Sequence, residues 1–228
     1  MSGEITGYRN DTDRELPFHQ ESNFFYLTGC SVPSSYLIAV SGADTRPTID
    51  LFIPEAEPVD LLWSVPPPSL EEAKKAYDVT NVQHTSAFVS TIESLLKARP
   101  NALIHVLPMD LPVFPKLPKE YAQAISTTDD RGFGFSVTDA FLLAALQNTR
   151  IIKDEEEVAL MRQANQISSR AHEVVMRVLG KAVKGMIEKG AGAGIDRPLL
   201  PGEWLIEKEA EAEAIFVASC RREGYVPP

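Results

Sequence analysis

The sequence predicts an α/β domain built on a mixed sheet, followed by a long helix that opens a second domain. Three observations carry this prediction. Short apolar, β-type runs alternate with helical periodicity across about residues 20 to 150, the pattern of strands crossed by helices. From Asp154 onward, apolar residues recur at three- and four-residue spacing as far as Leu179. Glycine and proline clusters punctuate the segments between these runs.

The first candidate strand is Phe24-Phe25-Tyr26-Leu27, an aromatic run stopped by Thr28-Gly29. Tyr36–Val40 is the second, followed by a turn-like Ser41-Gly42-Ala43-Asp44, and Thr48–Ile53 the third, ended by Pro54. Short connections between the three predict an antiparallel start to the sheet. Leu61-Leu62-Trp63 is a brief apolar stretch, and Pro66-Pro67-Pro68 after it cannot be helical. Ser69 with Glu72 has the spacing of a capping box. A helix is expected over His84–Ala98, with Phe88, Ile92, Leu95 and Leu96 on one side, and a buried strand over Ala102–Leu107. The proline-rich Pro108–Pro118 reads as an irregular connection, and Phe135–Gln147 as a helix through Phe141, Leu142, Leu143 and Leu146.

Asp154 and Glu157 form a second capping-box pair, and Glu155 and Glu156 sit where the helix dipole favours acidic groups. Val158, Met161, Ala164, Ile167, Ala171, Val174, Val178 and Leu179 make the apolar stripe of the helix they open. Gly190–Gly202 breaks the pattern with glycine, alanine and proline. A last helix is expected from about Leu205 to Arg222, with Ile215, Phe216 and Cys220 on its packing face.

The net charge is −10 and the sequence pI about 4.9, so the chain has no general attraction for phosphate backbones or anionic lipid. The amino-terminal Met1-Ser2-Gly3-Glu4 lacks the pattern of a secretory signal, and no apolar stretch approaches the roughly 18–20 residues that span a bilayer. A cytoplasmic protein with no nucleic-acid or membrane partner is the expectation. Cys30 and Cys220 form no CxxC unit and are expected as reduced, buried thiols. His19, His84, His105 and His172 show no HExxH spacing. Neither a nucleophile elbow nor a phosphate loop is present, and Gly190–Gly194 lacks the lysine a phosphate loop requires. Asp129-Asp130 and the alternating Glu207, Glu209, Glu211 and Glu213 read as solvated surface, because residues two apart on a helix do not face each other.

One segment has a more specific character. Arg14, then Pro17-Phe18-His19-Gln20, then Asn23-Phe24-Phe25-Tyr26-Leu27-Thr28-Gly29, resembles the first-domain signature of the aminopeptidase P and prolidase family (peptidase family M24B), close to the fungal type. Leu62-Trp63-Ser64 fits the same family. Ile152-Lys153 with Glu157–Ala164, Ile167-Ser168 and Ala171-His172 resembles the first helix of its catalytic domain, and Glu211–Gly224 the next. The resemblance covers the chain except about residues 184–207, which look foreign to the pattern.

The resemblance implies a creatinase/prolidase-like amino-terminal α/β domain over residues 1–150. Residues 151–228 would be the truncated start of a pita-bread (α+β) catalytic domain. It further implies an Xaa-Pro aminopeptidase, a hydrolase and metalloprotease that removes an amino-terminal residue preceding proline with two Mn²⁺ ions per subunit held by two Asp, one His and two Glu. Such ions would polarise the scissile carbonyl and activate a bridging water. Those ligands lie beyond the second catalytic-domain helix in the family. No residue of this sequence is therefore assigned a catalytic, cofactor-binding or metal-ligating role, and the chain alone is expected to be inactive. The alternatives are an Xaa-Pro dipeptidase (prolidase) parent, or a non-catalytic interaction or oligomerisation protein pairing with itself or with a full-length relative. The long helix would leave its stripe bare, so the C-terminal third is expected to be loosely packed.

Overall fold

The computed structural model describes residues 1–42, 45–56, 58, 60–62, 65–99, 101–108, 110–126, 136–183 and 206–224. The chain divides into two compact units, Met1–Ile151 and Ile152–Pro228. In the first, the order is α1 (Ser22–Thr28), β1 (Tyr36–Gly42), β2 (Thr45–Ile53), α2 (Leu70–Ala76), β3 (Asn81–His84), α3 (Phe88–Ala98), β4 (Leu103–His105), α4 (Lys119–Ser126), β5 (Ser136–Thr138) and α5 (Leu142–Ile151).

The main sheet runs β1-β2-β3, and β4 and β5 form a second, parallel pair. β1 and β2 are antiparallel, with Tyr36 opposite Phe52 and Leu37 opposite Leu51. β3 is parallel to β2, with Leu51 opposite Val82. A parallel neighbour needs a crossover, and α2 lies in that connection.

The period-two alternation of the strands divides the core between two faces. Leu37, Leu51 and Ile53 pack with Phe24 of α1, Ala73 of α2, Cys30, Val32 and Val79. Tyr36 and Phe52 point the other way, onto Phe88, Ile92 and Leu96 of α3, with Tyr121 of α4 and Ile104 and Val137 of the second sheet beside them. Helices thus cover both faces, and the strand segments Tyr36–Val40 and Leu51–Ile53 accordingly read as continuous apolar runs.

Tyr36, Phe52, Phe88 and Tyr121 form an aromatic cluster with ring centroids 4.6–5.2 Å apart. Burial there pushes the Tyr36 phenol up to about 12, helped by the neighbouring Tyr121 and Glu120. Tyr77 is likewise pushed up to about 12, by burial first and then by Cys30. A pKa raised on folding stabilises the fold below the unfolded value and loses that contribution as pH rises through the folded one. The urea midpoint is therefore expected to hold steady up to pH 10 and to fall between pH 10 and 12, with a shallower fall in Tyr36→Phe. A Tyr36→Phe curve superimposing on the parent curve over that range would contradict this.

Both capping boxes are present. Glu72 N donates to Ser69 Oγ (3.3 Å), while Ser69 Oγ (2.8 Å) and Ser69 N (2.9 Å) both donate to Glu72 Oε2, and these last two bonds, the hydroxyl's first, hold the Glu72 carboxyl below its usual range. Glu157 N donates to Asp154 Oδ1 (2.8 Å) and Asp154 N to Glu157 Oε2 (3.0 Å).

Several sequence expectations are corrected. Phe24–Leu27 is not a strand but lies within α1. A contiguous aromatic run has no period of its own. Here the carboxylate of Glu21 caps the helix, Gly29 closes it at φ 65°, and burial of Phe24 and Thr28 four residues apart selects one face. With that strand gone, the antiparallel start reduces to β1 and β2. The helix expected from His84 begins at Phe88, because Asn81–His84 pairs with β2 and a single 3₁₀ turn, Thr85–Ala87, intervenes. The strand expected over Ala102–Leu107 contracts to β4, whose Leu103 is half exposed, and the buried Val106 and Leu107 follow it. Ser136–Thr138 is drawn from the expected helix into pairing with β4, so α5 starts at Leu142. α4 has no counterpart among the expectations. Ala43, Asp44, Trp63, Ser64 and the Gly190–Gly202 segment lie outside the described residues.

The second unit contains α6 (Glu155–Val183) and α7 (Glu209–Arg222), which begins later than its sequence pattern. They pack through Ile167, Ala171, Cys220 and Phe216. His172 meets Phe216 edge-on at 4.7 Å, and Arg170 pairs with Glu223. Much of the apolar surface of α6 stays open, with Leu160 67% and Met176 62% exposed.

Candidate functional site

The signature segment Gln20–Gly29 folds into a connected set of polar contacts. Gln20 Oε1 accepts from Glu4 N (2.6 Å) and Glu21 N (3.1 Å), and its Nε2 donates to the Val32 carbonyl (3.1 Å). One amide thus joins the amino-terminal segment, the entrance of α1 and the loop after it. A β-carbon at Gly3 would stand 2.8 Å from Gln20 Oε1 and 3.1 Å from the Ser35 carbonyl, so glycine permits this approach.

Glu21 is buried and accepts from Phe24 N (2.6 Å) and Asn23 Nδ2 (2.8 Å). Asn23 Oδ1 accepts from Arg150 Nη1 of α5 (2.8 Å), a contact across 127 positions of sequence. The same guanidinium lies over the Tyr26 ring, 5.4 Å from its centre. Thr28 Oγ1 donates to the Phe24 carbonyl (2.7 Å) and accepts from Cys30 N (3.0 Å). These groups satisfy backbone and one another. The arrangement positions α1 on the sheet and presents no nucleophile paired with a base.

The residues weighed from sequence are scattered. His19 is exposed in the loop before α1, and His84 ends β3 with a buried Nδ1 that has no hydrogen-bond partner. His105 ends β4 against Phe141, and His172 Nδ1 is 2.8 Å from the Ser168 carbonyl on α6. Cys30 and Cys220 are free and buried. Glu211 accepts from Glu207 N (2.7 Å) and Lys208 N (3.0 Å), which lowers its pKa and occupies it as a helix cap. Asp129-Asp130 lie outside the described residues. Among the described residues no three His, Cys, Asp or Glu side chains are grouped to hold a metal ion, so this donor set does not fit a dinuclear centre. A shallow open groove between α2 and β3, lined by Leu70, Lys74, Lys75, Val82 and Gln83, holds no catalytic constellation, and the Lys74 amine is occupied by the Val79 and Thr80 carbonyls. Sequence reasoning gave no role to Arg150, which only the fold brings to the signature, or to Glu21, which it passed over as part of the signature's spacer.

Residues 1–105, containing the Gln20–Gly29 network, match the family described as Aminopeptidase P, N-terminal domain. The protein named "Probable Xaa-Pro aminopeptidase pepP" of Aspergillus fumigatus is 35% identical over 232 residues, covering 100% of this chain and 41% of that protein. The one named "Probable Xaa-Pro aminopeptidase PEPP" of Podospora anserina is 32% identical over 224 residues, 98% of this chain and 40% of its own length. The chain belongs to the aminopeptidase P family. Solved members share its fold. Zinc-substituted Escherichia coli aminopeptidase P in complex with product superposes with a TM-score of 0.69 at 18% identity, over 98% of this chain and 45% of that one. Proline aminopeptidase P II from Yersinia pestis gives 0.67 at 20% identity, over 98% and 45%. The mixed α/β architecture is that of the amino-terminal, creatinase/prolidase-like domain of these proteins. This aminopeptidase P-family chain spans about 40% of the length of its curated relatives. Among its described residues no helix is long and apolar enough to cross a membrane.

Proposed function

We propose that this chain is the amino-terminal portion of an Xaa-Pro aminopeptidase, with residues 1–150 as its first domain and residues 151–228 as the opening helices of its catalytic domain. The observation that carries the reading is 35% identity along 100% of this chain to a protein bearing that name, of which the chain is 41%. The role of these residues in that enzyme is structural. The Gln20, Glu21 and Asn23 network and the aromatic cluster build the first domain, while a pair of Mn²⁺ ions and their ligands would belong to the part of the relatives beyond the match. When bound there, the ions would polarise the scissile carbonyl of an Xaa-Pro peptide. Because the donors described here do not fit such a pair, no step is assigned to this chain's own residues.

A chimera tests the reading. The chain joined to the remaining carboxy-terminal portion of the Aspergillus fumigatus relative is expected to release the first residue of Xaa-Pro peptides when given Mn²⁺. Peptides with Ala in place of that proline should be spared. A folded, metal-loaded chimera that cleaves Xaa-Ala as readily would overturn it.

A further inference from the structure

α5 is weakly held by apolar contacts. Of its ten residues only Leu146 is buried, at 6% exposure, and the residue that follows it by one turn on the same face is Arg150. Arg150 lies in the last turn, where the helix dipole favours a cation. Its guanidinium donates to Asn23 Oδ1 at 2.8 Å and lies over the Tyr26 ring. Asn23 is 5% exposed, and its other end donates to the Glu21 carboxylate at 2.8 Å. Both ends of one buried amide are thereby used, relaying the cation of α5 to the anion that caps α1. The next residues, Ile151 and Ile152, are 70% and 81% exposed, so the helix loses its apolar footing directly after Arg150.

We infer that Arg150 is a latch: bonded to Asn23 and seated over Tyr26, it holds the last turn of α5 on α1 and so fixes where the chain leaves its first unit. A side chain that only covers apolar surface would act through its aliphatic arm, which methionine reproduces; a latch acts through the charged fork.

Amide hydrogen exchange on the 228-residue protein separates these roles. Arg150→Met is expected to speed exchange at the amides of Leu146–Ile151 by about tenfold or more, as loss of a charged hydrogen bond to a buried acceptor implies, with α3 unaffected. Asn23→Leu should speed the same amides, and the double variant should be no faster there than Arg150→Met alone. Arg150→Lys should fall between parent and Arg150→Met. Parent-like exchange in Arg150→Met, additive effects in the double variant, or equal acceleration in α3 would each overturn the latch.

Discussion

Phe88→Ala is expected to destabilise the first unit by about 3–5 kcal/mol. Phe88 is 2% exposed, and its ring touches Tyr36 and Phe52 of the sheet and Tyr121 of α4, at 5.2, 5.2 and 4.6 Å. Truncation removes the buried area of the ring and leaves a cavity, because the sheet on one side and α4 on the other constrain collapse. It also removes three aromatic contacts, each worth about 0.5–1.5 kcal/mol beyond area. Phe25→Ala supplies the control: Phe25 is 50% exposed on the outer side of α1 and should lose about 1 kcal/mol or less. Urea unfolding followed by near-ultraviolet circular dichroism reads the tyrosines of this cluster directly. A Phe88→Ala loss no larger than that of Phe25→Ala would remove the basis for a core on this face of the sheet.

Glu21→Ala should cost about 2–4 kcal/mol, although it deletes few packing contacts. The carboxylate accepts from Phe24 N at 2.6 Å and from Asn23 Nδ2 at 2.8 Å, and all three residues are buried. Its loss leaves a helix-terminal N–H and a side-chain amide without an acceptor where water does not reach. α1 has seven residues, too few to persist without its cap and its packing. Glu21→Gln keeps an acceptor but not the charge, and should lose less. Equal stability of Glu21→Ala and the parent in urea would show that the network does not hold α1.

The legible parts of the fold were those in which a local signal and the tertiary environment agree. Ser69 with Glu72 and Asp154 with Glu157 are capping boxes in sequence and in structure, since each pair satisfies its own backbone. β1 and β2 carry apolar runs that a helix-covered sheet requires. The misread parts were decided at long range. Phe24–Leu27 has the composition of a strand, yet its conformation is set by a glutamate, a poor cap by propensity, and by Phe24 inserting among Leu37, Leu51 and Ile53. Ser136–Thr138 is a strand because β4 stands beside it, a fact its own residues do not announce. The signature residues around Gln20–Gly29 were legible as a family resemblance. Their physical role was not, because Gln20 reaches Glu4 and Val32, and Asn23 reaches Arg150, through contacts that only the fold creates.

Incubating the purified 228-residue chain with an Xaa-Pro peptide and Mn²⁺, beside a calorimetric titration with Mn²⁺ alone, tests most directly the claim that this chain supplies the first domain of the enzyme and not its metal centre. The prediction is no release of the first residue and no saturable, stoichiometric uptake of the ion. Two ions taken up per chain, together with chelator-sensitive release of the residue before proline, would contradict it.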